Sequence, residues 1–301
     1  MKKIYKFSIY CILTTISSIA LQKFCRSKTD GFAESKIRAT LPFHEPFEIK
    51  NVSSEDLDLA LKALDQPYFY LGKGAQCYAF VSKDDQYVIK FFRLDRLCPS
   101  SIYTLIPLTK QLDDLRKERI ARKFEELSRD FLSYKYAYEA LKNPTGLIYV
   151  QLNAPSKFSK ILTVYDKISV KHTIDLSEMH FLIQKKGELF YTSLEELISL
   201  NKIDEAKARL TELVEYLVFR SKLGLYDKDP DINTNFGICN NQTIQIDTGR
   251  FRYDPSRIAP DIYIADIIRI TDNLHQWLDT KNSSLSLFLN QEIERLKKES
   301  L

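Results

Sequence analysis

The stretch Leu225-Tyr226-Asp227-Lys228-Asp229-Pro230-Asp231-Ile232-Asn233-Thr234-Asn235-Phe236-Gly237-Ile238, followed by Ile244-Gln245-Ile246-Asp247-Thr248-Gly249, constrains this chain more than any other. It crowds carboxylates and amides into one polar turn. Two short strand-like runs follow, 236–239 and 243–246, and deliver one more Asp at their end. Hard oxygen donors on a loop fixed by a small hairpin suit a divalent cation held beside a phosphate. Two upstream features belong with it: a glycine-bearing turn, Gly72-Lys73-Gly74, and a lysine inside an apolar run, Tyr87-Val88-Ile89-Lys90. A lysine in such a run is costly to bury without an anionic partner.

A chain of 301 residues can bury a substantial core as one large domain or two lobes. The balance of 44 basic against 40 acidic residues leaves only +4, with Lys and Arg interleaved with acids along helical segments. That pattern argues against a nucleic-acid partner, whose electrostatic footprint is a concentrated basic stripe. The cysteines (Cys11, Cys25, Cys77, Cys98, Cys239) are odd in number and form no CxxC, so neither a disulfide framework nor a zinc cluster is expected. The histidines (His44, His172, His180, His275) do not cluster.

At the N-terminus Lys2, Lys3 and Lys6 precede an uncharged, mostly apolar run, 7–21, with small residues at Ser18-Ile19-Ala20. This reads as a signal peptide or a membrane anchor over residues 1–26, so the chain is expected to be membrane-anchored or exported, in an orientation that basic residues on both flanks leave open. Residues 27–52, polar and interrupted by Pro42 and Pro46, read as a linker. The remaining 53–301 forms the domain.

Within it, Ser53-Ser54-Glu55-Asp56 has N-cap character and opens a helix over 57–64. Strand-like segments follow at 69–71, 78–82 and 87–92. A long helical pattern runs from 111 to 142, with Phe124, Leu127, Phe131, Tyr134, Tyr138 and Leu141 on one stripe. Further strands are expected at 147–152, 161–165 and 180–184, then helices at 193–200 and 204–223, the acidic loop and hairpin, and two closing helices at 259–278 and 284–298.

In this order of parts, over residues 68–280, the chain resembles the protein-kinase-like superfamily in a divergent form. The resemblance implies an α+β fold of two lobes, a β-rich N-lobe over about 53–187 and a reduced helical C-lobe over about 188–301. It also implies ATP and Mg2+ as cofactors, a nucleotide as partner and phosphotransfer to an acceptor that no motif identifies. Gly72 and Gly74 match the first two glycines of the nucleotide loop, with Cys77 at the third position. Lys90 takes the phosphate-contacting role, and Asn235 and Asp247 the metal-holding ones. For the catalytic base the resemblance leaves Asp227, Asp229 and Asp231, because Pro230 sits five residues before Asn235; Asp229 is favoured, on a one-residue insertion. Lys228 either meets the γ-phosphate or pairs with nearby acids. The helix carboxylate that should pair with Lys90 is not assigned among Glu118, Glu125, Glu126, Glu139 and Asp130. The displaced base and missing third glycine also fit a pseudokinase, a binding module of the same fold without catalysis.

Overall fold

Burial on both faces of its central strands decides how the sheet of the first half is used. The computed structural model describes residues 2–38, 41–97, 107–154 and 159–299; Cys98 lies outside these. Strands β1 (Tyr68–Lys73), β2 (Cys77–Ser82), β3 (Tyr87–Phe92), β4 (Leu147–Gln151), β5 (Ile161–Tyr165), β6 (Lys171–Asp175) and β7 (Phe181–Lys185) form one sheet in the order β4-β7-β3-β2-β1-β5-β6. Tyr78, Phe80, Ile89, Phe91, Phe181 and Ile183 pack into one buried cluster. Their neighbours Cys77, Phe92, Val150 and Leu182 pack into another, as the two-residue period of a pleated strand requires.

The first cluster is capped by α2 (Ser54–Ala63), through Ala60 and Ala63, and by Phe32 and Ile37. Ser53 caps this helix, accepting from the Asp56 amide at 3.1 Å. Part of the segment expected to be a linker is therefore packed on the sheet. Phe32 lies edge-on to Tyr78 and Phe80, Tyr78 donates to the Gly31 carbonyl, and Phe47 is buried in the second cluster. Residues 2–26 of the expected signal or anchor lie in α1 (Lys2–Thr29), a single 28-residue helix. Among the described residues no helix is long and apolar enough to cross a membrane.

Against the second face lies α4 (Lys110–Thr145), the long helix, preceded by the short α3 (Leu94–Leu97). Leu127, Phe131, Tyr134, Tyr138 and Leu141 of its stripe are buried, while Phe124 stays partly exposed against His44 and Phe47. The helix ends at Gly146, whose φ of 64° is left-handed and favours glycine.

The same cluster continues into the helical half. After the two-residue β8 (Glu188–Leu189) come α5 (Phe190–Ser199), α6 (Ile203–Lys222), β9 (Leu225–Asp227) and the one-turn α7 (Ile232–Asn235). Then follow β10 (Phe236–Cys239), β11 (Gln242–Gln245), β12 (Phe251–Tyr253), α8 (Pro260–Lys281) and α9 (Ser283–Glu299). Helix α6 buries Leu210, Leu213, Val214 and Leu217 against this core. Small sheets β11-β10-β8 and β12-β9 frame the acidic loop. The chain is thus an α+β molecule of two lobes, with the crossing between them at β7–β8.

Strands β6, β8, β9 and β12 were not anticipated. Strand β6 has a single buried residue, Ile174, and the other three are two or three residues long, too short for a periodic signal.

Candidate active site

Lys90 sits on the sheet face shared with Phe92, opposite Ala79 on β2 and Leu182 on β7. Its side chain therefore points toward the helical half. Its ammonium donates to the Ile246 carbonyl, the residue before Asp247. Among the described residues no carboxylate comes within 4.0 Å of it.

The opposing side is built from the acidic loop. The Asn235 carbonyl accepts from the amides of both Ile246 and Asp247, at 2.7 and 3.3 Å, which holds the two predicted metal-binding residues together. The Asn235 side-chain amide donates to the Asp229 carbonyl at 2.5 Å. One Asp247 carboxylate oxygen accepts from the Gly249 amide at 3.1 Å.

Beneath this loop lies a buried polar network. Gln245 donates to Asp227 at 2.6 Å and to the Asp247 carbonyl at 3.1 Å, and accepts from Tyr216 and Arg220 at 2.8 and 2.9 Å. Asp227 also accepts from the Asp229 amide at 2.9 Å. Burial raises the Asp227 carboxyl above its ordinary value, against the pull of the Arg220 guanidinium. A glutamine buried between Ile244 and Ile246 was the available signal for this network, since a polar side chain inside an apolar strand must be hydrogen-bonded.

These groups meet in one cavity of about 120 Å³, lined by Gly74, Gln76, Lys90, Tyr134, Asp227, Asp229, Asn235, Asp247 and Arg250 among others. A glycine turn and a sheet lysine from one lobe face an amide and an acid from the other. The fold is protein-kinase-like.

The kinase-like cleft departs from the sequence reading in several respects. Gly74 lines the cavity, at a turn closed by its amide donating to the Cys77 carbonyl at 2.9 Å. Gly72 does not line it; it lies at a β1–β2 irregularity with no atom within 4 Å of where a Cβ would be. Arg93 braces the turn from behind, donating to the Gly74 carbonyl at 3.1 Å. Asp231 is engaged as the cap of α7, accepting from the Asn233 amide and the Thr234 hydroxyl. Asp227 is committed to Gln245. Asp229 is the remaining acid of the three, exposed and in the cavity. Lys228 is exposed outside the lining.

Where the lysine's helix partner was expected, α4 presents Tyr134 and Ser133. The Tyr134 hydroxyl donates to Gln76, whose side-chain amide donates to the Gly249 carbonyl at 3.0 Å. The Ser133 hydroxyl donates to the Thr248 carbonyl and accepts from the Phe251 amide. A Cβ on Gly249 would stand 1.7 Å from the Gln76 oxygen and 2.7 Å from the Tyr134 hydroxyl, so a larger residue there would displace both side chains. Asp130 faces Arg252, at 4.0 Å, rather than Lys90; burial pushes its carboxyl up to about 6. Sequence reasoning missed Gln76, Ser133 and Tyr134 as cleft residues, because the two on α4 fall on or beside its packing stripe.

A second cavity, of about 840 Å³, adjoins the first through Ala79 and Lys90. Leu71, Ala79 and Val88 line it from the sheet, Ile238 and Ile246 from the hairpin, and 184–189 along the lobe crossing. Asp85, Gln86, Lys186, Thr192 and Asn240 also line it, so the slot has both apolar and polar walls.

For Mg2+ the donor set fits: Asn235 and Asp247 both line the cavity, and with its nitrogen anchored on Asp229 the Asn235 amide offers its oxygen, which also accepts from the Thr234 hydroxyl at 3.1 Å. Among the described residues no three His, Cys, Asp or Glu side chains gather as a closed metal cage. Mg2+ in phosphate sites is commonly bound by one or two carboxylates plus substrate phosphates.

No protein-family model and no curated protein matches the chain. Among solved structures, it is similar to WbdD, with 18% identity over 76% of this chain and a TM-score of 0.33; another structure describes that protein as a bifunctional kinase-methyltransferase. The chain spans 45% of the length of that WbdD chain. It is also similar to Rv3197 from Mycobacterium tuberculosis, in a complex with erythromycin (14% identity, 89% of this chain and 75% of that one, TM-score 0.30). A third likeness is to the ADP-bound aminoglycoside phosphotransferase APH(2'')-Ib (14% identity, 80% and 96%, TM-score 0.25).

Proposed function

We propose that this protein is an ATP- and Mg2+-dependent phosphotransferase of reduced, kinase-like architecture. The observation that carries this reading is the meeting of Lys90, Asn235, Asp247 and Gly74 in one cavity that adjoins a larger slot walled in part by Leu71, Val88, Ile238 and Ile246. The slot would take the flat base, and the polar cavity the phosphates. Lys90 would neutralise phosphate oxygens, and Asn235 and Asp247 would hold the metal. Bound Mg2+ would supply positive charge to the phosphate oxygens as charge develops in transfer. Asp229, with a side chain not committed to a cap or a buried network, would orient the acceptor hydroxyl and accept its proton. Catalysis of this kind rests on positioning and charge stabilisation, not on a covalent intermediate.

Thermal-shift measurement on the full chain tests the reading. ATP with Mg2+ should raise the melting temperature, and chelating the metal should abolish most of the shift. Absence of any Mg2+-dependent nucleotide response would sink it.

A second reading is supported by one observation: Lys90 has a carbonyl, not a carboxylate, as its partner. A nucleotide-binding pseudokinase would show the thermal shift with no turnover of labelled ATP over any acceptor or water.

A further inference from the structure

Next to the phosphate cavity is another, of about 450 Å³, whose lining includes Arg129, Arg250 and Arg252. It shares Ala75, Gln76 and Arg250 with the phosphate cavity, so the two are continuous at the tip of the glycine turn. Two carboxylates, Glu126 and Asp130, also line it.

Two of the three arginines are not consumed by these acids. Arg129 and Arg250 are exposed, and neither guanidinium makes an ion pair within 4.0 Å or a side-chain hydrogen bond among the described residues. Arg252 is held in place: it donates to the Arg129 and Phe251 carbonyls at 3.2 and 2.6 Å and lies 4.0 Å from Asp130. Its buried Nε has no hydrogen-bond partner. Elsewhere on the surface, Arg38, Arg209, Arg269 and Arg295 are each answered by a carboxylate at 3.0 Å or less.

Guanidinium groups present planar forks that match the oxygens of a phosphate, and three around one hollow suit a dianion. Arg129 and Arg252 lie outside the lining of the nucleotide's phosphate cavity, so they are placed for a second anion beside it. The cavity bounded by Tyr191, Glu195, Asp231 and Trp277 is acidic and shares no lining residue with the phosphate cavity.

We propose that the arginine-lined cavity binds the phosphate group of an acceptor that is already phosphorylated, a small hydroxylated phosphomonoester such as a sugar phosphate. This rests on the phosphotransferase reading. The acceptor's phosphate would be held by Arg129 and Arg252, leaving a free hydroxyl to reach toward Asp229 and the terminal phosphate of ATP. Transfer forms a bond between that hydroxyl oxygen and the terminal phosphorus. It breaks the bond to the bridging oxygen of ADP, and the hydroxyl proton passes to Asp229.

The test uses the full chain in thermal-shift and calorimetric titrations with glucose 6-phosphate, glycerol 3-phosphate, glucose, glycerol and inorganic phosphate, each with ADP and Mg2+ present. At least one phosphomonoester should bind about tenfold more tightly than inorganic phosphate, and the unphosphorylated alcohols should not bind. Arg129→Gln, at an exposed position, should weaken that binding by about tenfold and leave the ATP response unchanged. Arg252→Lys keeps the charge but not the fork, and should weaken it as well.

Phosphomonoesters that bind no better than inorganic phosphate would overturn the acceptor site, as would arginine variants that lose the ATP response instead. Loss of the ATP response in the unmodified protein overturns the phosphotransferase reading and the acceptor role together. A retained ATP response without phosphomonoester binding overturns the acceptor site alone.

Discussion

On the sheet side of the cleft, Lys90 is placed by backbone pairing: its strand is laddered to β2 and β7, and its side chain has one carbonyl partner. On the helical side, Asn235 and Asp247 are joined by backbone bonds, but the loop that carries them rests on side chains, a buried network of Asp227, Gln245, Arg220 and Tyr216 together with Ser133 of α4. The first arrangement tolerates change in the side chain it presents, since a ladder hydrogen bond does not depend on residue type. The second does not, because each polar group removed leaves another buried without a partner.

The sharpest way to break this comparison is at Asp247. On the phosphotransferase reading, Asp247→Ala should lower the rate of labelled-phosphate transfer by about 10³-fold or more, some 4 kcal/mol, with the fold intact by circular dichroism. Transfer that survives would remove Asp247 from the metal-holding role. Next in size is Gln245→Leu. It should cost about 3 kcal/mol in urea unfolding, because Asp227, Tyr216 and Arg220 all lose a buried partner. An unchanged midpoint would mean that the network does not hold the loop. Lys90→Met should be milder for stability, within about 1 kcal/mol, while weakening ATP binding by about tenfold in calorimetry. Equal losses of stability at Gln245 and Lys90 would erase the contrast between the two sides.

The smallest effect concerns pH. The Asp130 carboxyl is raised by burial from 3.8 to about 6, so between those values the folded chain holds a proton that the unfolded chain has released. Its contribution to stability therefore falls as pH rises from about 4 to about 6. Asp130→Asn should flatten that part of the melting profile relative to the parent, and parallel profiles would remove Asp130 as a buried acid.

Much of the fold was legible because it is written in period. The stripe of α4 follows from apolar spacing, and β3, β5 and β10 fall where the sequence placed them. Lys90 stood out as a charge inside an apolar run, and Asn235 and Asp247 as part of a polar turn and hairpin that resembles the family's. What was hidden depended on tertiary approach. Gln76 reaches Gly249 across 173 residues, and Ser133 reaches Thr248 across 115. No local pattern encodes such contacts. Spacing in a motif does not report which glycine stands at the turn, and of the pair it is Gly74 that lines the cavity. Asp227, Asp229 and Asp231 look alike in sequence and differ only in what each is already bonded to.

Strand β1 has neighbours on both sides, but unequally. It is paired to β2 along its length and to the added strand β5 only at Tyr68 and Phe69. The strand is therefore clamped at its root and held along one edge toward its tip, like a reed fixed at the base. Admission and release of a ligand under Gly74 would bend the last few residues of this reed and leave the root still. Amide hydrogen exchange should be slow at Phe69 and fast at the tip.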